Sequence, residues 1–314
     1  MRVLVTGANG FLGSYLIKVL SLNENALVSL AVRSKSSESN VRQFSVGNIS
    51  SQTSWSKVVD RQDVVIHCAA MSNVNAQTDE KALKEVNVAG TLKLATDASK
   101  AGVKRFIFIS SIKVNGESTS GSEPFDSKSE RNPQDSYGKS KSEAEDKLIE
   151  LGNQTGMEIV IIRPPLVYGR GVKANFLNLM IVSATGLPLP FGLISNQRSM
   201  IYLGNLVDFI INCIDHPAAK NQTFLVSDGQ DLSLSNLIRL IRSAMNRPAL
   251  LMPVPVSLFK LVGKLTGKTA VVDRLVGDLQ VDSSKARHLL DWTPPYTVEA
   301  GIKETVNEFM SRKK

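Results

Sequence analysis

The chain has 314 residues, 42% hydrophobic and 21% charged, which describes an ordinary soluble globule of one large or two modest domains. Its net charge of +8 suits solubility and anionic ligands, and no basic run is interleaved with aromatics, which argues against a nucleic-acid partner. Cys68, Cys213, His67, His216 and His288 have no metal-ligand spacing, so no metal site and two buried thiols are expected.

The first strand is Arg2–Thr6, with the apolar run Val3-Leu4-Val5. Gly7, Gly10 and Gly13 follow, and Leu12, Leu16, Val19 and Leu20 fall on one helical face. Strand, glycine turn and helix form the context of a phosphate-binding fingerprint. Gly7 permits the tight turn, Gly10 the approach of a pyrophosphate, and Gly13 the packing of helix on strand. The helix start then offers free N–H groups to the phosphates.

Further strands are expected at Leu27–Val32, 43–46, 63–68, 105–110 and Glu158–Arg163. The second ends at Arg33, the third runs into Asn48 and Ile49, the fourth into Ala69 and Ala70. The last is stopped by Pro164 and Pro165. Helices are expected over 80–102 and 136–151. The alternation predicts an α/β, Rossmann-type, doubly wound parallel sheet covered on both faces. Residues 115–134 are polar and rich in Gly, Ser and Pro, and read as a mobile lid.

Residues 1–165 are therefore expected to bind a dinucleotide. Residues 166–314, broken by prolines, are expected to form a smaller substrate-binding part interleaved with the first. Within it, 205–214 and 235–245 read as helices and 223–226 as a strand. Residues 263–269 come close to a nucleotide-binding loop but lack one residue and a preceding strand, so they read as a turn between helices. No charged leader precedes the first strand and no apolar run reaches about 18 residues, so a cytoplasmic protein without integral membrane association is expected.

Tyr137 and Lys141 stand four apart at the start of a helix and share a face. An ammonium beside a phenol favours phenolate, which would prepare Tyr137 for proton transfer. Ser110 and Ser111 end the fifth strand, where a hydroxyl can hold a substrate alcohol or ketone.

With these residues the chain resembles the extended short-chain dehydrogenase/reductases, the NAD-dependent epimerase/dehydratase family. The likeness runs through TGANGFLG at 6–13, HCAA at 67–70, NVAGT at 87–91, SSIKVNG at 110–116, YGKSK at 137–141 and RPPLVYG at 163–169. The resemblance implies that Ser111, Tyr137 and Lys141 are catalytic, with Lys141 also on the nicotinamide ribose. It implies cofactor contacts from Gly7, Asn9, Gly10, Phe11, Leu12, Gly13, Arg33, Asn48, Ile49, Ala69, Ala70, Asn87, Tyr137, Lys141 and Pro164. Substrate contacts would come from Ser111, Asn175, Arg198 and Arg274, the last three on a nucleotide diphosphate. Asn48 replaces the Asp that many relatives hold near the adenine. Ile112 and Lys113 replace the acid pair of sugar dehydratases, which disfavours dehydration. Relatives of this kind are often homodimers; no interface signature stands out.

No Asp or Glu lies at 32–34 to meet the adenosine ribose of NAD, and Arg33 suits a 2′-phosphate instead. The expectation is therefore NADP(H), with NAD as the alternative. The reaction expected is NADPH-dependent reduction at carbon 4 of a UDP-4-keto-6-deoxy-N-acetylhexosamine for surface polysaccharide. The alternatives are a UDP-glucose or UDP-N-acetylglucosamine 4-epimerase with tightly bound NAD, a non-sugar ketone reductase, and a catalytically silent cofactor-binding regulator.

Overall fold

Alternate residues of each central strand enter opposite cores. In β1 (Arg2–Thr6), Val3 and Val5 pack on one side and Leu4 on the other. The structure is a computed structural model and describes residues 1–35, 41–72 and 79–312. The remaining strands of the main sheet are β2 (Leu27–Val32), β3 (Arg42–Ser45), β4 (Val64–His67), β5 (Arg105–Ile109), β6 (Glu158–Arg163) and β9 (Gln222–Leu225). A separate two-stranded sheet pairs β7 (Leu166–Tyr168) with β8 (Met200–Tyr202) in parallel.

The main sheet has seven strands in the order β3-β2-β1-β4-β5-β6-β9, with every neighbour parallel. The order reverses between β1 and β4, where Thr6 faces His67. Ligands of such sheets bind at this reversal, outside the strand C-termini. The strand β9 comes from the second half of the chain and extends the sheet built by the first.

The helices are α1 (Phe11–Leu20), α2 (Ser56–Val59), α3 (Glu80–Lys84), α4 (Thr91–Lys100), α5 (Ser136–Thr155), α6 (Ala174–Ser183), α7 (Leu203–Asp215), α8 (Leu234–Ala244), α9 (Val256–Leu265), α10 (Thr269–Val276), α11 (Ser284–Leu290) and α12 (Val298–Ser311). Helices α1 and α7 cover one sheet face through Leu16, Leu20, Phe209 and Ile210. Helices α4 and α5 cover the other through Leu94, Ala98, Ala144 and Leu148. A third core joins α6, α8 and α12 to β7 and β8 around Tyr168, Tyr202 and Ile302. No helix among the described residues is long and apolar enough to cross a membrane.

Four expectations need correction. Helix 136–151 runs one turn further, to Thr155, where Gly156 takes the left-handed conformation (φ 79°) and ends it. Helix 80–102 is interrupted by a π-helical turn, Glu85–Gly90. Cys213 is buried as expected, but Cys68 is only half-buried. The stretch 115–134 is a pinned strap, not a free lid. Its Thr119 N–H donates to Asp278 O at 2.9 Å and its Phe125 N–H to Gln280 O at 2.9 Å. The carboxylate of Asp126 accepts from the amides of Lys128 and Ser129, so polar residues that read as loop formers secure the turn. Residues 263–269 do join two helices. Gly263 lies inside α9 against Val272, and Gly267 makes the turn at φ 68°.

Candidate active site

The glycine turn is a cradle with no room for side chains. A Cβ on Gly7, which sits at φ 72°, would lie 2.7 Å from Ala69 N; one on Gly13 would lie 2.2 Å from Gly7 O. Gly10 caps α1, whose first turn holds no acidic residue. Asn9, Gly10 and Phe11 line an open cleft with Arg170, Lys173 and Arg312. Bare backbone N–H groups with basic neighbours fit the pyrophosphate of a dinucleotide. Leu12 and Phe11 pack against the core below, so the turn is fixed from behind.

The other cofactor candidates follow strand ends on the same edge. Arg33 is exposed just after β2; Asn48 and Ile49 follow β3 and Ala69 and Ala70 follow β4. Ile49 packs against Gly90. Pro164 follows β6 and its carbonyl accepts from Ile112 N–H at 3.0 Å. Asn87 lies in the π turn. Its side chain exchanges hydrogen bonds with Met71 N (2.8 Å) and O (3.0 Å) and donates to Ser140 Oγ at 3.0 Å. It therefore ties the end of β4 to α5.

His67 is 1% exposed and bonded at both nitrogens, to Thr6 Oγ1 at 2.7 Å and Thr91 Oγ1 at 2.9 Å. Burial, with the Lys141 ammonium second, holds its pKa at about 3. It is a neutral positioning residue.

The adjacent serines divide their work. Ser110 is buried and donates to Glu145 Oε1 at 2.5 Å. Glu145 also receives Arg163 through Nε at 2.9 Å and Nη2 at 2.5 Å, while Arg163 Nη1 reaches Asn115 Oδ1 at 3.0 Å. Ser111 stays outside this network. It caps the short turn Ile112–Val114 and remains half-buried.

Tyr137 is the second residue of α5, whose cap Asp135 accepts from Gly138 N–H at 2.7 Å. Lys141 follows one turn later, 2% exposed. Its Nζ lies 5.9 Å from the Tyr137 ring centre, 4.3 Å over the Phe108 ring, and donates to Ile109 O at 2.8 Å. Burial lowers the Lys141 pKa to about 8, against the pull of Cys68 and Glu145. Burial, then the charge of Asp135, pushes Tyr137 up to about 12. The expected lowering of the phenol by Lys141 is thus absent in this arrangement. The ammonium is aimed at a carbonyl, and burial of the phenol outweighs it.

Arg198 and Arg274 come together: Arg198 Nη1 donates to the carbonyls of Arg274 (2.9 Å) and Gly277 (3.1 Å). Arg274 Nε pairs with Glu117 at 3.4 Å. Glu117 also holds Lys113 at 3.0 Å, and Lys113 bonds Asp135 beside Tyr137. Burial disfavours charge on Lys113 and Asp135, but their mutual bond, with Glu117, raises the Lys113 pKa; that bond and the Gly138 N–H lower the Asp135 pKa. Asn175 shares no hydrogen bond with the two arginines; it is exposed in the first turn of α6. Lys113, Glu117 and Asp135 were not among the expected site residues. The cap position of Asp135, two residues before Tyr137, was the available signal.

Residues 3–227 match the NAD dependent epimerase/dehydratase family. The chain belongs to this family. It is accordingly an enzyme that works with a nicotinamide dinucleotide. A UDP-glucose 4-epimerase of Vibrio cholerae is 47% identical over 312 residues, covering 98% of this chain and 95% of that protein. An Escherichia coli O157:H7 protein, N-acetyl-alpha-D-glucosaminyl-diphospho-ditrans,octacis-undecaprenol 4-epimerase, is 29% identical over 100% of this chain and 97% of its own. Among solved structures, UDP-glucuronic acid 4-epimerase from Bacillus cereus in complex with NAD superposes with a TM-score of 0.82 at 20% identity, covering 100% of both chains. That likeness establishes the shared epimerase/dehydratase fold.

Proposed function

We propose that this chain is a UDP-hexose 4-epimerase that retains NAD through its cycle. The observation that carries the reading is the 47% identity with a UDP-glucose 4-epimerase along 98% of the chain. The position of Ser111 two residues after β5, and of Tyr137 and Lys141 in the first two turns of α5, supports it. When bound, the nicotinamide ring supplies acceptor and then donor for the hydride of sugar carbon 4. Tyr137, after giving up its own proton to solvent, takes the proton of the 4-hydroxyl as phenolate and returns it, and Ser111 Oγ hydrogen-bonds to the same oxygen. Lys141 holds the nicotinamide ribose. Arg274 exchanges Glu117 for a substrate phosphate, with Arg198 and Asn175 beside it. The same reading places the enzyme in the cytoplasm.

The test is incubation of the purified protein with UDP-glucose and no added cofactor, with the products read by NMR. Conversion to UDP-galactose, with NAD released on denaturation, is expected. Absence of interconversion, with a UDP-4-keto sugar consumed only when NADPH is supplied, overturns it.

That outcome would establish the second reading, net reduction of a UDP-4-keto-6-deoxy-N-acetylhexosamine with NADP(H). One observation favours it: Arg33, exposed after β2 and followed by Ser34 and Lys35, has no carboxylate beside it in sequence. Under it, Arg33→Ala weakens NADPH far more than NADH. Under the epimerase reading, the substitution leaves NAD retention unchanged.

A further inference from the structure

Helices α9 and α10 are apolar yet almost entirely unburied. Of α9 only Gly263 is buried, and α10 buries no residue at all. The two helices meet where Gly263 touches Val272. The inward side of α9 rests on the protein through Val256 and Phe259, the latter stacked on Phe191 at 5.8 Å. The outward side carries Leu258, Leu261, Val262 and Leu265, at i, i+3, i+4 and i+7, so they form one stripe. They are 49%, 53%, 50% and 77% exposed, and Val271 on α10 is 61% exposed. Met252 and Leu250, both 45% exposed, extend the apolar surface ahead of α9. A contiguous patch of this kind marks an interaction surface.

The charge around it indicates what it meets. The hairpin 256–276 holds Lys260, Lys264, Lys268 and Arg274 against one carboxylate, Asp273. On α9, Lys260 and Lys264 lie beside the stripe, between it and the protein-facing side. Long lysine stems can lie along an apolar surface while their ammonium groups reach polar headgroups. A second copy of the chain seated on this patch would bring two sets of three lysines together. An anionic surface accepts them. We propose that the α9–α10 hairpin docks the protein peripherally on an anionic lipid bilayer, with the leucine stripe at the headgroup–acyl boundary and the lysines among lipid phosphates. Ten residues of α9 reach only about 15 Å, so the helix lies in the surface and does not cross. The inference stands apart from the carbon-4 reading.

The experiment is co-sedimentation of the full chain with vesicles of phosphatidylcholine alone or mixed with phosphatidylglycerol, at low and high salt. The protein is expected to pellet with the mixed vesicles at low salt. Binding is expected to weaken at least about tenfold in Leu261→Glu/Leu265→Glu, which loses the apolar stripe, and in Lys260→Glu/Lys264→Glu, which loses the charge. Both pairs are exposed, and circular dichroism checks their fold; if the leucine pair unfolds, the lysine pair carries the comparison. Wild-type protein left in the supernatant overturns the proposal, as does equal pelleting of folded variants. A wild-type dimer in analytical ultracentrifugation that becomes monomeric in Leu261→Glu/Leu265→Glu also overturns it, because the patch would then be an interface between copies.

Discussion

The ammonium of Lys141 donates to the carbonyl oxygen of Ile109 at 2.8 Å, so the end of β5 holds the lysine that shares a helix face with Tyr137. Burial keeps the pKa of this lysine near 8. In the folded protein it loses its proton as pH rises through about 8, whereas the unfolded chain keeps it to the ordinary lysine value. Between those limits the unfolded state binds more protons, so the Lys141 contribution to stability rises with pH and is lost as pH falls through about 8. Activity that needs the ammonium runs the other way and declines above about pH 8. A pH–rate profile alongside a pH series of melting temperatures checks both slopes. Lys141→Met should abolish the stability slope and lose turnover.

Tyr137→Phe should keep fold and cofactor and reduce turnover by roughly 10²–10⁴-fold, the usual contribution of a positioned proton donor. The raised phenol pKa, about 12, makes Tyr137 a protonated donor before substrate and cofactor arrive. Steady-state kinetics beside a cofactor titration decides it; near-normal kcat would remove Tyr137 from the reaction.

Ser110 and Ser111 should separate in their effects. Ser110→Ala leaves Glu145 one donor short in the core and should destabilise by about 1–3 kcal/mol, with kcat of the folded fraction kept. Ser111→Ala loses only its long capping bond to Lys113 N–H, which should cost about 0.5–1 kcal/mol, and should lower kcat. Thermal melts and kinetics on the two variants test the division; equal kcat losses would refute it.

Glu145 and Arg163 form a buried ion pair with side chains 0% and 2% exposed. Glu145→Ala strands the guanidinium and should cost about 3–5 kcal/mol in urea unfolding. A double variant, Glu145→Leu with Arg163→Met, should recover much of that loss, because the cost lies in the unpaired charge.

The strap over 115–134 should exchange slowly without any ligand. The amides of Thr119 and Phe125 are held by the carbonyls of Asp278 and Gln280, and Asp282 N–H donates back to Phe125 O at 2.8 Å. Hydrogen exchange of the ligand-free protein should show protection at these three amides. Exchange as fast as at a chain terminus would restore the mobile lid.

The central strands were legible because both sheet faces are covered, so runs such as Val3-Leu4-Val5 and Ile159-Val160-Ile161-Ile162 carry no polar interruption. The glycine spacing was legible because steric contact forces it: Gly13 meets Gly7 O where any Cβ would collide. The pair β7 and β8 was not. Each has three residues, prolines precede the first, and their partnership spans a loop, so no local pattern marks it. Ser110 and Ser111 look alike in sequence, and only the long-range placement of Glu145 separates them. Polar composition in 115–134 identified a loop but not its anchors, which lie about 155 residues away, at 278–282.

The π turn Glu85–Gly90 sets a limit on how this chain tolerates changes in length. Its wider winding places Asn87 against Met71 and Ser140 while still delivering Thr91 to His67. Deleting one residue there and returning to ordinary α pitch would leave the helix beyond it on its present face, because the wide turn holds one residue more than an α turn over nearly the same rotation. Asn87 would then shift within the turn and lose its place against Met71 and Ser140. The chain can therefore lose a residue across 85–90 without turning its supporting helix, but not without releasing the tie between the cofactor edge and α5.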